Sequence, residues 1–331
     1  MKIILLIFTI SLLSTVTLPF NHNSLQAQSN FLAISGEIKH VDENKIPEEL
    51  QVDLVVINES GEQSRQSTIA KNGYYLFFIS HGNHDVYFIE TIYQNIKYIS
   101  DYYNAAAEIN QTITIDVAIF DKNEKVPAIE NIVTKFTLSK IDYSQKTITF
   151  IREDIIRNTE NWTFFFDDEI TATYNMYLLT NTISAVGNLG NDLFLQDDNY
   201  LNINMPILPG INTISTIHTV ALADDDTYNF IYNSNYDTNV LEINIPTRFS
   251  KEIIPIKGFQ KKGEKFFEKE KMQVFQAENI AKKTETKLLI KQIFREKNFF
   301  LAQNNIFAII SIIISSVIFS LLIIKVREKN A

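Results

Sequence analysis

Cysteine is absent from all 331 residues, which removes disulfides, thiol catalysis, iron–sulfur ligation and thiolate zinc sites together. The domains must therefore be held by their cores alone. Histidine is scarce: of His22, His40, His81, His84 and His218, only His81 and His84 are close enough in sequence to share a ligand. No H-E-x-x-H helix surrounds them, so they read as a solvated turn rather than a metal site. No G-x-S-x-G elbow, phosphate-cradling glycine loop or D-x-D-x-D-G calcium loop occurs. The acidic runs Asp167-Asp168-Glu169, Asp197-Asp198 and Asp224-Asp225-Asp226 read as solvated loops between strands, with a calcium-bound loop at 224–226, helped by 197–198, as the alternative. Positive charge is also in deficit, with 30 Lys and Arg against 39 Asp and Glu and a formal net charge of -9. An acidic body does not suit phosphates, so nucleic acid is not an expected partner. Paired carboxylates that meet only in the folded chain remain open to any sequence. Nothing here favours them, and neither an enzyme, a cofactor nor a metal is expected.

Long apolar runs are confined to the two ends. Residues 306–324 are 19 uncharged residues followed by Lys325, Arg327 and Lys329. As a helix they span roughly 28 Å, enough to cross the hydrocarbon core. The basic residues behind them favour the cytoplasmic side, making 325–331 a short cytoplasmic tail. At the other end, Lys2, an apolar run from Ile3 and a small-residue region near Ala27 have the layout of a secretory signal over 1–28. The expectation is a single-pass protein of the cytoplasmic membrane, its N-terminal body extracytoplasmic and membrane lipid its partner through 306–324. Ser311/Ser315 and Ser316/Ser320 are small-xxx-small pairs that would admit a partner helix.

Between these ends the periodicity is two. Val52, Leu54 and Val56 share a face, Asn72-Gly73 suits a tight hairpin turn ahead of the aromatic run from Tyr74, and Ile113, Ile115, Val117 and Ile119 alternate with polar residues. Five or more short strands without helical crossovers predict an antiparallel β-sandwich over 31–120. A charged segment with Pro127 then reads as a linker. From 129 to 291 the pattern resumes: hairpin-like segments at 133–141 and 146–154, aromatic strands at 161–166 and 172–180, alternation at 211–222, and a strand at 240–246 stopped by Pro246. Residues 264–291 are charged enough for a solvated helix, but they also divide into two strands around a polar turn, and strands are the expectation. Residues 292–305 are expected as a juxtamembrane helix. The fold class is thus all-β: two tandem antiparallel sandwiches followed by a transmembrane helix.

Two aromatic features have binding as an alternative. Trp162, the only tryptophan, suits a core or interface anchor better than a ligand platform. Tyr87, Tyr93, Tyr98, Tyr102 and Tyr103 alternate poorly, so some rings are expected at the surface, where they suit glycan or protein contact.

Residues 31–58 followed by 67–80 resemble the carboxypeptidase regulatory-like, transthyretin-like domain. The likeness lies in Gly36 at the end of the first strand, a loop near Pro47, Thr68 before the turn glycine Gly73, and the aromatics Tyr74 and Phe77. Segments 90–100, 117–123, 157–164 and 205–215 are similar to those of exported, C-terminally anchored bacterial envelope proteins carrying such a domain ahead of a second β domain. Asn95 stands where that group usually has glycine, and Asn tolerates the positive φ of the turn. The resemblance implies an adhesive, stabilising or carbohydrate-contacting module; the zinc site of the peptidase that lends the domain its name belongs to a separate domain. The expected role is non-enzymatic, structural or interactive, with an envelope protein or glycan as partner. The alternative is a carbohydrate- or ligand-binding accessory subunit of a membrane complex.

Overall fold

The structure, a computed structural model, describes residues 31–80, 85–104, 112–168, 171–187, 194–196, 199–267 and 269–293. The expected signal over 1–28, the expected span 306–324 with its serine pairs, and the expected tail 325–331 lie outside the described residues. Apart from a 3₁₀ turn at Glu43–Lys45, every regular element among the described residues is a strand. No helix among them is long and apolar enough to cross a membrane. The chain divides into two compact units, Met1–Ile119 and Phe120–Ala331.

Unit 1 contains β1 (Phe31–His40), β2 (Glu49–Ile57), β3 (Gln63–Lys71), β4 (Tyr74–Ser80), β5 (Val86–Tyr93), β6 (Ile96–Ile99), β7 (Tyr103–Asn104), β8 (Thr112–Thr114) and β9 (Val117–Ile119). They follow the order β6-β5-β2-β3-β4-β1-β8, with β7 on β5 and β9 on β1. The turns use the residues expected of them. Asn72 and Gly73 both take positive φ, 49° and 86°, closing β3 onto β4, and Gln94 and Asn95 do the same between β5 and β6 at 50° and 64°. Asn95 thus takes the positive φ of this turn.

The inward residues Ile34, Val52, Leu54, Phe77, Ile89, Val117 and Ile119 are all buried, as a period of two requires. Ile113 and Ile115 are buried with them, but the strand expected over 112–120 is two short ones, both running parallel to β1. At the break, Asp116 Oδ1 accepts the Glu37 N–H at 3.0 Å, and the Ile115 N–H donates to Ser35 O at 2.9 Å. Gly36 is explained by the same place: a Cβ there would collide with the Ile115 carbonyl oxygen, which also accepts from the Tyr75 hydroxyl. The expectation of a purely antiparallel arrangement is therefore corrected to a mixed one.

Unit 2 is built on a long sheet ordered β15-β18-β12-β11-β20-β23-β22. Its strands are β11 (Ile129–Asp142), β12 (Thr147–Asn158), β15 (Thr182–Gly187), β18 (Gly210–Ala221), β20 (Thr238–Pro246), β22 (Gln260–Phe267) and β23 (Glu270–Ile280). Two three-stranded sheets accompany it. One joins β14 (Tyr174–Tyr177), β17 (Tyr200–Ile203) and β16 (Phe194–Gln196); the other joins β19 (Tyr228–Asn233), β24 (Glu285–Ile293) and β21 (Ser250–Lys257). Short β10 (Lys122–Asn123) pairs in parallel with β13 (Thr163–Phe164), and β11 also runs parallel to β20. Strands β22, β23 and β24 occupy 264–291, where strands are expected. Strand β24 reaches Ile293, so residues 292 and 293 are in a strand rather than the expected juxtamembrane helix; 294–305 lie outside the described residues.

One face of the long sheet carries the core. Phe136, Phe150, Leu241, Ile243 and Phe275 pack with Phe230, Leu288 and Ile290 of the β19-β24-β21 sheet. Farther along the same strands, Ile156 and Ile214 pack with Tyr174, Met176, Leu201 and Ile203 of the β14-β17-β16 sheet. Each fully buried Phe, Leu or Ile contributes about 1.5–3 kcal/mol. Tertiary burial thus overrides the charged composition of 264–291: Met272, Val274, Phe275 and Ala277 alternate or cluster inward while the lysines stay wet.

Candidate functional site

The apolar face of the long sheet is interrupted between its two clusters. The register places Thr216, Arg152, Phe136, Ile243 and Phe275 side by side across β18, β12, β11, β20 and β23. Arg152 and Asp154 are turned inward with Ile148, Phe150 and Ile156 because all five share one parity on β12. Arg152 donates to both Asp154 carboxylate oxygens, from Nε at 3.0 Å and from Nη2 at 2.8 Å, and from Nη1 to Tyr177 O at 3.1 Å. Its guanidinium lies 5.3 Å from the Phe136 ring centroid and 5.5 Å from that of Tyr232. Tyr174 donates its hydroxyl to Asp154 Oδ2 at 3.0 Å. Burial disfavours the guanidinium charge, but the Asp154 carboxylate more than offsets it, so Arg152 stays charged and its proton is held more tightly than usual.

His218 lies beside this row, two residues from Thr216 on β18 and opposite Phe150. Its Nε2 shares a proton with Thr216 Oγ1 at 3.0 Å, and its Nδ1 has no hydrogen-bond partner among the described residues. Burial, and then the Arg152 charge, push its pKa down to about 3. A neutral imidazole, an arginine, a carboxylate and a tyrosine within one cluster would serve acid–base chemistry if substrate could reach them. Here it cannot: Arg152, Asp154, Tyr174, Thr216 and His218 are all buried. Apart from His218 Nδ1, its members bond to one another or to the Tyr177 carbonyl, and the cluster joins the two parts of the core.

Surface recesses are of two kinds. Unit 2 has a groove of about 320 Å³ lined by Asn175, Tyr177, Tyr200, Asn202, Tyr236 and Lys283, among others. The Tyr177 and Tyr200 rings lie 4.5 Å apart, and the buried Asn175 Oδ1 has no partner among the described residues. Unit 1 has a larger opening, about 910 Å³, between β3 and β4, lined by Val56, Ser64, Gln66, Phe78, Ile79 and Asp85, among others. The two strands pair only at Lys71 and Tyr74, beside their turn, and part beyond it. On the outer side of β4, Tyr74, Leu76 and Phe78 are 64%, 47% and 65% exposed, and Ile69 of β3 adds a fourth exposed apolar residue at 47%.

Residues singled out by sequence are scattered. His81, His84, Glu169, Asp197 and Asp198 lie outside the described residues. Asp224 pairs with Lys146, Asp225 accepts from the Thr227 hydroxyl at 2.6 Å, and Asp226 sits at φ 53° in the turn between β18 and β19. Asp167 pairs with Lys122, and Asp168 accepts from the Thr171 hydroxyl at 2.8 Å. These partners satisfy turns. Among the described residues no group of three or more His, Cys, Asp or Glu could hold a metal ion.

Of the tyrosine series, Tyr87 and Tyr98 are core residues, whereas Tyr102 and Tyr103 are exposed, Tyr102 meeting Phe88 edge to face at 5.0 Å. Burial, with the Asp85 charge beside it, holds the Tyr87 phenol above its ordinary pKa. Trp162 is half-buried, and its Nε1 has no partner among the described residues. The Arg152–Asp154 pair was missed by sequence reasoning, although its signal was present: two opposite charges two apart, on the parity of Ile148, Phe150 and Ile156.

No protein-family model matches the chain, and no curated protein matches it. Among solved structures, it is similar to an M1 zinc metallopeptidase from Deinococcus radiodurans at 7% identity and a TM-score of 0.31, over 50% of this chain and 42% of that one. A mutant of that organism's M1 zinc metallopeptidase bound to a Tyr-Ser-Ala substrate gives 8% identity and a TM-score of 0.31, over 49% of this chain and 42% of the other. The chain thus spans about two fifths of the length of the structures it matches.

Proposed function

We propose that this is a non-enzymatic protein of the cell envelope, tethered through 306–324, which holds two β-sandwich units outside the cytoplasmic membrane in a structural or protein-interaction role. The observation that carries the interaction role is the exposed row Ile69, Tyr74, Leu76 and Phe78 on unit 1. Contiguous apolar side chains in water favour being covered by a partner, and a sheet face presents them at fixed spacing. The transthyretin-like resemblance of residues 31–80 supports a module of this kind, and the basic residues behind 306–324 support its orientation.

Two measurements test the reading. Alkaline carbonate should leave the mature protein in the membrane pellet, and protease added to intact spheroplasts should cleave within 31–293. Release by carbonate, or an uncut body, overturns the placement. Crosslinking in native membranes should give a discrete adduct that Leu76→Ser with Phe78→Ser removes. An adduct indifferent to those changes overturns the role of the exposed row.

A second reading, glycan binding, rests on the Tyr177/Tyr200 groove with its asparagines and the adjoining Lys282 and Lys283. Amide groups and ring faces suit sugar hydroxyls and C–H faces. Affinity electrophoresis through cell-wall polysaccharide would show retardation lost in Tyr200→Ala, and equal mobility of the two proteins excludes it.

A further inference from the structure

The opening between β3 and β4 has backbone chemistry as well as volume. β2 pairs with β3 along its whole length, from Ile57/Gln63 to Glu49/Lys71, so one edge of β3 is filled. The other edge meets β4 only at Lys71, leaving Gln63–Ile69, roughly 23 Å of strand, without a ladder partner among the described residues. β4 is filled by β1 from Tyr74 to Ser80 and is likewise open toward β3. Alternate residues of both strands therefore direct N–H and C=O groups into the opening. Open edges are normally blunted by lysine, proline or a bulge. Between Gln63 and Ile69 there is no proline, no lysine and no register shift, and the single charge is Arg65.

The electrostatics of the lining narrow the occupant. Arg65 is engaged by Asp53 at 3.0 Å and Glu90 at 2.6 Å on the outer face of the sheet. The acids of the lining are Glu62, which accepts from Asn58 Nδ2 at 3.1 Å, and the buried Asp85, which accepts from the Tyr87 hydroxyl at 3.3 Å; both lie near the Gln63 end, while Val56, Phe78 and Ile79 supply apolar surface. A chain laid along β3 would bury alternate side chains against that surface and carry a base toward the acids.

We propose that this opening is a strand-addition site: an extended segment of a partner polypeptide, apolar at alternate positions and with a Lys or Arg near one end, hydrogen-bonds to the free edge of β3. The proposal rests on the interaction reading above and names the kind of partner it takes.

The test uses the full-length protein in its native membrane, with a benzophenone side chain at Gln66 and, as control, at Lys262 on β22. Illumination at Gln66, but not at Lys262, should attach an extended segment of another protein with the stated pattern. That segment, made as a synthetic peptide, should bind the purified full-length protein. N-methylation of alternate peptide amides should weaken binding at least tenfold, as should Ser64→Lys with Gln66→Lys, while Gln66→Ser should not. The proposal is overturned if the adduct is with residues 1–30, 81–84 or 105–111 of the same chain, with a second copy, with lipid, or is absent. It is also overturned if N-methylation changes nothing. Carbonate extraction and spheroplast proteolysis read the tether separately, so failure of strand addition leaves that placement standing.

Discussion

Unit 1 holds its carboxylates Asp53 and Glu90, at 16% and 10% side-chain exposure, against Arg65 and Lys97, which are half exposed, whereas unit 2 seals both Arg152 and Asp154 between two apolar clusters at 3% and 0%. The chemistry of the two pairs is the same and the environment is not. In water an ion pair competes with hydration and mobile salt; between packed rings it has only itself and its hydrogen bonds. The unit 1 network, open to water through its cations, is consequently worth less to stability than the sealed pair. The inner pair of unit 2 constrains which strands can stack over it.

The largest effect expected from this contrast is at Asp154. Asp154→Ala leaves the Arg152 guanidinium buried without its counter-charge and should destabilise unit 2 by about 3–5 kcal/mol. Trp162 lies in unit 2 and is the chain's only tryptophan, so its fluorescence in a denaturant titration reports that unit. Replacing both partners, Arg152→Met with Asp154→Leu, removes the charge problem and should recover most of the loss. A double variant as unstable as the single one would show that the pair's worth lies in packing.

His218 gives the next largest effect, through pH. Its folded pKa, about 3, lies below the unfolded value near 6.5. Between these values the unfolded chain binds a proton that the folded chain refuses, so stability falls as pH falls through that window and is fully present above it. From pH 6.5 to 5 the loss should be about 1–2 kcal/mol. His218→Leu should flatten that part of the unit 2 profile, measured by denaturation at successive pH values. An unchanged slope would assign the dependence to carboxylates instead.

The same contrast explains what could be read in advance. Alternation announced β2, β4 and β12 because each has one wet and one buried face, and Asn72-Gly73 announced its turn because few residues tolerate two positive φ angles in succession. β3 was invisible. Its sequence QSRQSTIAK is polar on both faces from Gln63 to Ser67, since its inward positions Ser64 and Gln66 open onto the gap rather than a core. The parallel pairing of β8 and β9 with β1 was also hidden, because period two fixes which face a residue occupies and says nothing about the direction of its neighbour. Arg152 and Asp154 fall in the hairpin-like segment 146–154 and drew no separate reading; only the parity shared with Ile148, Phe150 and Ile156 marks them as inward.

A smaller effect is expected on the outside of unit 1. Asp53→Ala removes one of two carboxylates from Arg65, and Glu90 remains within 2.6 Å to hold it. Hydrogen bonds from Gln51, Ser67 and Arg65 outweigh the burial of Asp53 and keep its pKa below the ordinary carboxylate value. Arg65 is half in water and keeps Glu90 as a partner, so the change should destabilise by only about 0.2–1 kcal/mol, and less in high salt. A loss approaching that of Asp154→Ala would erase the distinction between the two networks.

The smallest effect on stability should come from β22, the opposite kind of edge to β3. It carries Lys261, Lys262 and Lys265, and Gly263, at φ 129°, sits at a register shift against β23. These are the devices that keep an edge from accepting another strand. Lys262→Thr with Lys265→Thr removes the exposed partners of Glu278 and Glu242 and should shift stability by under about 0.5 kcal/mol. Its consequence should appear in assembly: sedimentation velocity of the purified full-length protein should show concentration-dependent association absent from the parent. If the variant stays as monodisperse as the parent, the bulge at Gly263 alone guards this edge, and the openness of β3 then follows from its lack of a bulge rather than from its lack of lysine.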